Sequence, residues 1–207
     1  MRALAFVLRA GAEGSRILDV GCGDGALARA LGGLGRQVTA IDTTLRDPTP
    51  APGVTFVECD FLTFDAAPFD TILFGASLHH IAPLSAAIEH AAALVVRGGR
   101  LLADEFDLAA PDLATLRWYY APEEGDLAAR WQHDHEHDGP PLHTGDAMLA
   151  AIAARFNVVE TRRGPYLHRK LEHERGVDRL LEEAHLIETG AIRPVGLRIV
   201  AERPLIS

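Results

Sequence analysis

The chain has two cysteines and one lysine in 207 residues, and each scarcity closes a class of functions. Cys22 and Cys59 form no spaced pair, so no disulfide framework is expected and a reducing cytoplasm is the expected setting. Lys170 stands alone beside nineteen arginines in an alanine-rich chain, a usage that points to a GC-rich bacterial genome. Positive charge is short overall, with a formal net charge of -9. A protein that binds a polyanion needs a positive face to release counterions. Even the run holding Arg162, Arg163, Arg169 and Arg175 is interleaved with Glu160, Glu172, Glu174, Asp178, Glu182 and Glu183, and reads as a solvated helix with opposite charges in register. Nucleic acid is therefore not an expected partner. Long apolar runs are missing too. The opening "MRALAFVLRAGAEG" is interrupted by Arg9 and is too short for a signal peptide or a membrane span. What remains, 48% hydrophobic and 24% charged residues, is ordinary composition for one globular domain, 1–207.

Glycine is concentrated where other residues are sparse. In "RILDVGCGDGALARAL" the apolar Ile17, Leu18 and Val20 read as a buried strand, and Ala26, Leu27, Ala28 and Leu31 as a helix face. Between them Gly21, Gly23 and Gly25 permit backbone conformations that a Cβ forbids and let a ligand approach the main chain. The helix start then presents free N–H groups. The run Gly21-Cys22-Gly23-Asp24-Gly25-Ala26 satisfies the dinucleotide fingerprint, and a plain strand-to-helix turn would use the same glycines. Asp19 and Asp24 separate the ligand classes. Both repel a pyrophosphate, whereas S-adenosylmethionine brings an ammonium, a sulfonium and a single carboxylate.

Asp19 to Gly25 resembles motif I of class I S-adenosylmethionine-dependent methyltransferases. The strand "QVTAID" ends in Asp42, followed by Thr43, where an acid about twenty residues past a glycine turn accepts ribose hydroxyls; a turn-opening Asp is the plainer alternative. The link "TTLRDPTPAPG" carries three prolines and is too short for a full helix, a departure from the family pattern. The next strand, "VTFVECDF", ends in Asp60 and Phe61, and the resemblance gives Asp60 the adenine amino group. "FDTILFGASLHHIAPL" looks like the fourth strand and exit loop of the small-molecule branch. Gly75, Ala76 and Ser77 leave room there for the methionine part of the cofactor, and His79 and His80 sit where the loop faces the reacting centre. In quinone O-methyltransferases a Glu-His pair at this place helps hold a metal. Here His79 replaces that Glu and Ala76 a further acid, so no metal is expected. After a helix through Ile88 and Leu94, stopped by Gly98-Gly99, the strand "GRLLADEFD" ends in Asp104, Glu105 and Asp107. Glu105 or Asp107 is a candidate to take a proton from an acceptor or to complement the sulfonium.

The stretch 108–154 is longer than a crossover needs. Trp118, Tyr119, Tyr120 and Trp131 fall in it, so 107–143 is expected to form a lid that selects the substrate; packing within the lid is the alternative role of these aromatics. No other long segment is expected to cover the site. Trp118, Tyr119, Tyr120 and His135 are the candidate substrate contacts. His133, His135, His137 and His143 could share a face, but neighbouring acids and the lack of any recognised ligand spacing argue against a metal site. "RFNVVETRR" and "PVGLRIVAERP" complete the sheet. The resemblance implies a Rossmann-like α/β sheet of seven mostly parallel strands, order 3-2-1-4-5-7-6 with the last antiparallel and helices on both faces, here with a helical insertion after strand 5. The expected function is methyl transfer from S-adenosylmethionine to oxygen or nitrogen of a small molecule, with His79, His80 and Glu105 as catalytic candidates. The rivals are a nicotinamide dehydrogenase, disfavoured by Asp19 and Asp24, and a methyltransferase-fold module that binds the cofactor or a partner without turnover.

Overall fold

The computed structural model describes residues 2–12, 14, 16–135, 141–175 and 178–205. Seven strands, β1 (Arg16–Val20), β2 (Gln37–Asp42), β3 (Val54–Glu58), β4 (Phe69–Gly75), β5 (Val95–Phe106), β6 (Asn157–Gly164) and β7 (Gly196–Glu202), form one sheet in the order β3-β2-β1-β4-β5-β7-β6. The first five lie parallel, and β7 runs antiparallel to both neighbours. Period-2 alternation divides the core in two. Ile17, Leu73 and Leu102 point to the face covered by α1 (Arg2–Ala10) and α2 (Ala26–Gly33), whereas Leu18, Ile72 and Leu101 point to that of α3 (Leu84–Leu94) and α6 (Gly145–Ala153).

Three features differ from the sequence reading. The N-terminal apolar run folds as α1, with Phe6, Val7 and Ala10 on one buried face while Arg9 reaches outward to Glu160 at 2.9 Å. Gly98-Gly99 does not stop α3, which ends at Leu94. The pair lies inside a longer β5, where the register shifts between Phe69↔Val95 and Thr71↔Arg100; a Cβ on Gly99 would meet the Asp70 carbonyl oxygen at 2.8 Å. The third concerns the cap. Segment 107–143 contributes α4 (Leu113–Tyr120) and α5 (Leu127–Asp134), but α7 (Leu167–Arg175) joins them, with α8 (Leu180–Glu188) packed behind. Leu116, Tyr119, Tyr120, Leu127 and Trp131 from the first segment bury against Tyr166, Leu167 and Leu171 from the second. The charged run around Arg169 is thus an amphipathic helix with a buried side.

Glu183 holds the start of α7. Its buried carboxylate accepts the backbone N–H groups of Tyr166, Leu167 and His168 at 2.8–2.9 Å and the His168 ring at 2.7 Å. Those hydrogen bonds outweigh burial and hold its pKa below the usual carboxylate value. Between β2 and β3 no helix forms, as the prolines require. Among the described residues no helix is long and apolar enough to cross a membrane.

Candidate active site

The strands end in a cavity of about 620 Å³. Gly21, Gly23, Asp42, Thr43, Asp60, Phe61, Gly75, Ala76 and Ser77 line it, so four separate strand ends converge as the sequence suggested. The glycine loop is tied to β2: Gly21 and Cys22 donate their N–H groups to the Ile41 carbonyl at 2.8 and 3.0 Å, and Gly23 donates to Asp42 Oδ2 at 2.8 Å. Gly21, at φ 74°, passes so close to Ser77 that a Cβ would lie 2.4 Å from the serine Cβ. Ser77 closes that contact by donating its hydroxyl to the Val20 carbonyl at 2.6 Å. Gly23, at φ 58°, has nothing within 4 Å of where a Cβ would sit, which leaves the cavity open against bare backbone.

Asp19 lies beneath the loop, 3% exposed. Its carboxyl makes no hydrogen bond among the described residues, and burial, with the nearby Asp42 charge, raises its pKa to about 7. No fully buried side-chain nitrogen or oxygen among the described residues lacks a partner, so its oxygens keep a little accessible surface, although Asp19 is not among the residues that line the cavity. An acid in that condition asks for a cation.

Three residues expected to touch a ligand do other work. Cys22 is half-buried beside the loop, its thiol pushed up to about 12 by burial and by Asp19 and Asp42, and it does not line the cavity. Asp24 is exposed and accepts the Ala26 N–H at 3.0 Å at the start of α2. Gly25 makes room for the Phe56 ring, which would lie 2.5 Å from a Cβ. Conversely, Arg46 and Leu62 line the cavity without having been singled out. Arg46 sits in the proline-rich link, which carries no periodic signal. Asp60 lines the cavity and also accepts the Leu62 N–H at 2.8 Å, fixing the turn that carries Phe61.

A second cavity, of about 330 Å³, shares Ala76 and His80 with the first and extends between His79, Phe106, His135, Tyr166 and Lys170. Ala76 has φ 55°, the one positive value at a non-glycine position among the described residues, and donates its N–H to the Asp104 carbonyl at 3.0 Å. Glu105 is fully buried and lines neither cavity. Its Oε1 accepts the Ser77 and Leu78 N–H groups at 3.0 and 2.8 Å, and its Oε2 accepts His79 Nδ1–H at 2.5 Å. The sequence reading has Glu105 taking an acceptor proton or complementing the sulfonium, but both of its oxygens are engaged by protein N–H groups and neither faces a cavity. His79 Nε2 makes no hydrogen bond among the described residues, and since no fully buried side-chain nitrogen there is unsatisfied, it is the ring nitrogen open to the cavity. Asp107 is also occupied, accepting the Gly145 N–H at 2.9 Å and Arg163 at 2.7 Å. It staples the cap to α6.

The cap aromatics go elsewhere. Trp118, Tyr119 and Tyr120 line neither cavity; Tyr119 and Tyr120 pack inside the cap, and the Tyr120 hydroxyl donates to Asp134 at 2.7 Å. Trp118 donates its indole N–H to Glu182 at 2.9 Å with Arg179 over its ring. Of the four substrate candidates only His135 reaches a cavity wall. Tyr166, Lys170 and Phe106, which do line it, were missed; the helical spacing of Leu167 and Leu171 was the available signal. The histidines are separately engaged: His135 Nδ1–H donates to the Trp131 carbonyl at 2.8 Å and His143 Nε2–H to that of Ile81 at 3.0 Å. His133 is exposed and His137 lies outside the described residues. Among the described residues no cluster suited to a metal ion occurs.

Comparisons with known proteins agree with this geometry. Residues 1–159 match the family model described as a methyltransferase domain. The chain is 31% identical over 163 residues to a ubiquinone biosynthesis O-methyltransferase of Methylocella silvestris, covering 70% of this chain and 60% of that protein, so it spans less than two thirds of that relative's length. It is 31% identical over 152 residues to an uncharacterized methyltransferase of Mycobacterium tuberculosis, covering 67% of this chain and 76% of that one. A crystal structure of an S-adenosylmethionine-dependent methyltransferase from Mesorhizobium loti shares the fold with a TM-score of 0.65 at 19% identity, covering 98% of this chain and 96% of that chain. The chain belongs to the methyltransferase domain family, and its cofactor class is S-adenosylmethionine, the ligand to which the glycine loop and its acids point.

Proposed function

We propose that the protein transfers a methyl group from S-adenosylmethionine to a hydroxyl oxygen of a small molecule, with His79 as the base. The observation that carries this reading is the His79–Glu105 pair, with His79 on the wall of the second cavity and Glu105 buried behind it. The unpartnered, buried Asp19 and the bare backbone at Gly23 suit a ligand with an ammonium group, which the cofactor has. Asp42 and Thr43 would hold its ribose, Asp60 and Phe61 its adenine, and Gly75, Ala76 and Ser77 its methionine part. The cofactor supplies a methyl group activated on positive sulfur.

The chain's own work is positioning and proton removal. Cavities that meet at Ala76 and His80 would let acceptor and methyl come together in attack geometry, an effect worth up to roughly 7–11 kcal/mol where fully realised. Glu105 fixes the His79 tautomer by accepting from Nδ1, which leaves Nε2 to take the hydroxyl proton; the buried carboxylate then stabilises the imidazolium. The acceptor oxygen would take the methyl group the cofactor supplies, with S-adenosylhomocysteine as the leaving group and the hydroxyl proton on His79. The relative whose name specifies O-methylation is consistent with oxygen as the acceptor atom. A panel of phenols, carboxylates and amines, assayed for S-adenosylhomocysteine, tests the reading. Turnover with hydroxyl acceptors that collapses in His79→Ala while cofactor affinity holds supports it. Turnover restricted to amines, or undiminished in His79→Ala, overturns it.

A further inference from the structure

A third cavity, of about 180 Å³, gathers arginines from β6, β7 and α7 and shares no lining residue with the other two. Asp104 pairs with Arg198 across β5 and β7, and Arg198 with Arg162 across β7 and β6, so these side chains form one cross-strand row. The row lies on the face that carries α1, with Arg198 over the Phe6 ring. Arg163 belongs to the opposite face, where it meets Asp107. From α7, Arg169 reaches the same row: the Asp104 carboxylate accepts hydrogen bonds from Arg198 Nε and Arg169 Nη2, each at 2.9 Å. Burial opposes the Asp104 charge, yet the two arginines hold its pKa below the usual carboxylate value, so it neutralises one of them and no more. Arg162 is ion-paired with Glu160 at 2.8 Å, an acid that Arg9 also engages at 2.9 Å. Four arginines, Arg9, Arg162, Arg169 and Arg198, thus share two carboxylates. Arg162 and Arg198 stand directly opposite each other, where like charges repel. His168 completes the wall. It is 5% exposed, and its Nδ1–H donates to the Glu183 carboxylate at 2.7 Å. Its Nε2 makes no hydrogen bond among the described residues, and no fully buried side-chain nitrogen there lacks a partner, so Nε2 keeps accessible surface on a residue that lines the cavity.

We propose that this cavity binds a phosphate-type oxyanion, held by the guanidinium groups of Arg162, Arg169 and Arg198, with His168 Nε2 on its protonated oxygen. The volume is well under the roughly 300–1,000 Å³ of small-molecule sites, so it takes one oxyanion group rather than an organic ligand. Guanidinium groups match such oxygens with a fork of N–H donors, and charge-assisted hydrogen bonds are the strong kind. Inorganic phosphate near neutral pH is both charged and protonated. It therefore offers lone pairs to the arginines and an O–H to the Nε2 lone pair of a neutral imidazole. The bound ion would tie α7 to the β6–β7 edge of the sheet. Tyr166 and Lys170, which flank His168 and Arg169 in the chain, line the second cavity, so filling the third would steady that wall from behind.

The test is calorimetry on the full chain in a phosphate-free buffer, titrated with inorganic phosphate and separately with glycerol 3-phosphate, with sodium chloride holding the ionic strength constant. Phosphate is expected to bind once per chain, with a dissociation constant on the order of 1 mM or lower, and to slow hydrogen exchange in α7. Tighter binding of inorganic phosphate supports the site with the free ion as its ligand, and tighter binding of glycerol 3-phosphate supports it with the oxyanion as the head of a monoester. Arg162→Gln changes a largely exposed side chain and should weaken phosphate about tenfold, the effect of one charged hydrogen bond. Arg169→Gln should weaken it at least as much, and Arg162→Lys should retain part of the affinity. No saturable binding, or slowing of exchange in α7 that chloride matches, would overturn the inference. So would affinity undiminished in both glutamine variants, which would place the ion elsewhere on the protein.

Discussion

The two cavities meet at Ala76 and His80 yet are assembled in opposite ways. The larger is lined from residues 20–82, by the ends of strands and the loops that follow them. The smaller draws on the exit loop of β4, the end of β5, the end of α5, the segment before α6 and the start of α7. In the first, a residue's role follows from its own sequence neighbours. In the second, it follows from which face of a distant helix packs down, and substitutions should respect that boundary.

The largest expected effect lies on the smaller side. His79→Ala should lower turnover roughly 10²- to 10⁴-fold, the range for a lost general base, with cofactor affinity unchanged by calorimetry. Glu105→Gln should also lower kcat and displace the pH–rate limb that reports the base. A parallel loss of cofactor affinity would show that the halves are not separable there. Next comes Glu183→Ala. It strips three backbone N–H groups of their acceptor, so a cost of about 3 kcal/mol in urea unfolding is expected, with the acceptor cavity loosened and cofactor affinity kept. An unchanged midpoint would mean that α7 does not depend on this cap.

Asp42→Ala sharpens the comparison from the other side. It removes both a ribose acceptor and the tie to Gly23, and should weaken cofactor binding about 10- to 100-fold while acceptor affinity is little altered. Asp19 predicts a pH dependence confined to the same half. Its pKa in the ligand-free protein is raised to about 7, so its contribution to stability is full below the ordinary carboxylate range and is lost as pH rises through about 7. Binding an ammonium favours the ionised form, so cofactor affinity should rise by about tenfold from about pH 6 to about pH 8, and Asp19→Asn should flatten the curve. A flat wild-type curve would remove Asp19 from the site. The smallest effect is expected at Trp118, whose indole sits between Glu182 and Arg179 on the outside of the cap. Trp118→Ala should cost about 1 kcal/mol of stability and leave cofactor binding intact. A large change in acceptor kinetics would return this residue to the substrate wall.

The same boundary explains what was legible in the sequence. Apolar runs and the glycine turn marked the strand ends and positions such as Asp42, because a strand end and the turn after it are contiguous in the chain, while the sheet order and the place of Asp60 came from the resemblance of these motifs to the methyltransferase pattern. The cap was legible as an excess of aromatics but not as a shape. Tyr119 and Tyr120 are as apolar as a pocket wall, and only the packing of α4 and α5 onto α7 shows that they face inward. Lys170 was hidden in a run of alternating charges whose buried side is carried by Leu167 and Leu171. Glu105 was placed correctly at the strand end, but its role depends on the amides of Ser77 and Leu78, nearly thirty residues away and invisible to local pattern.

Ala76 stands where the two cavities join, in a conformation that costs an ordinary side chain roughly 1–2 kcal/mol. Glycine would relieve that cost and widen the passage by a methyl group, while a β-branched residue would meet both steric penalties at once. Substitution here is therefore nearly one-dimensional, with aperture exchanged against backbone comfort. A lineage under selection for a bulkier acceptor has an inexpensive first step at this position, because Ala76→Gly enlarges the doorway while stabilising the loop that frames it.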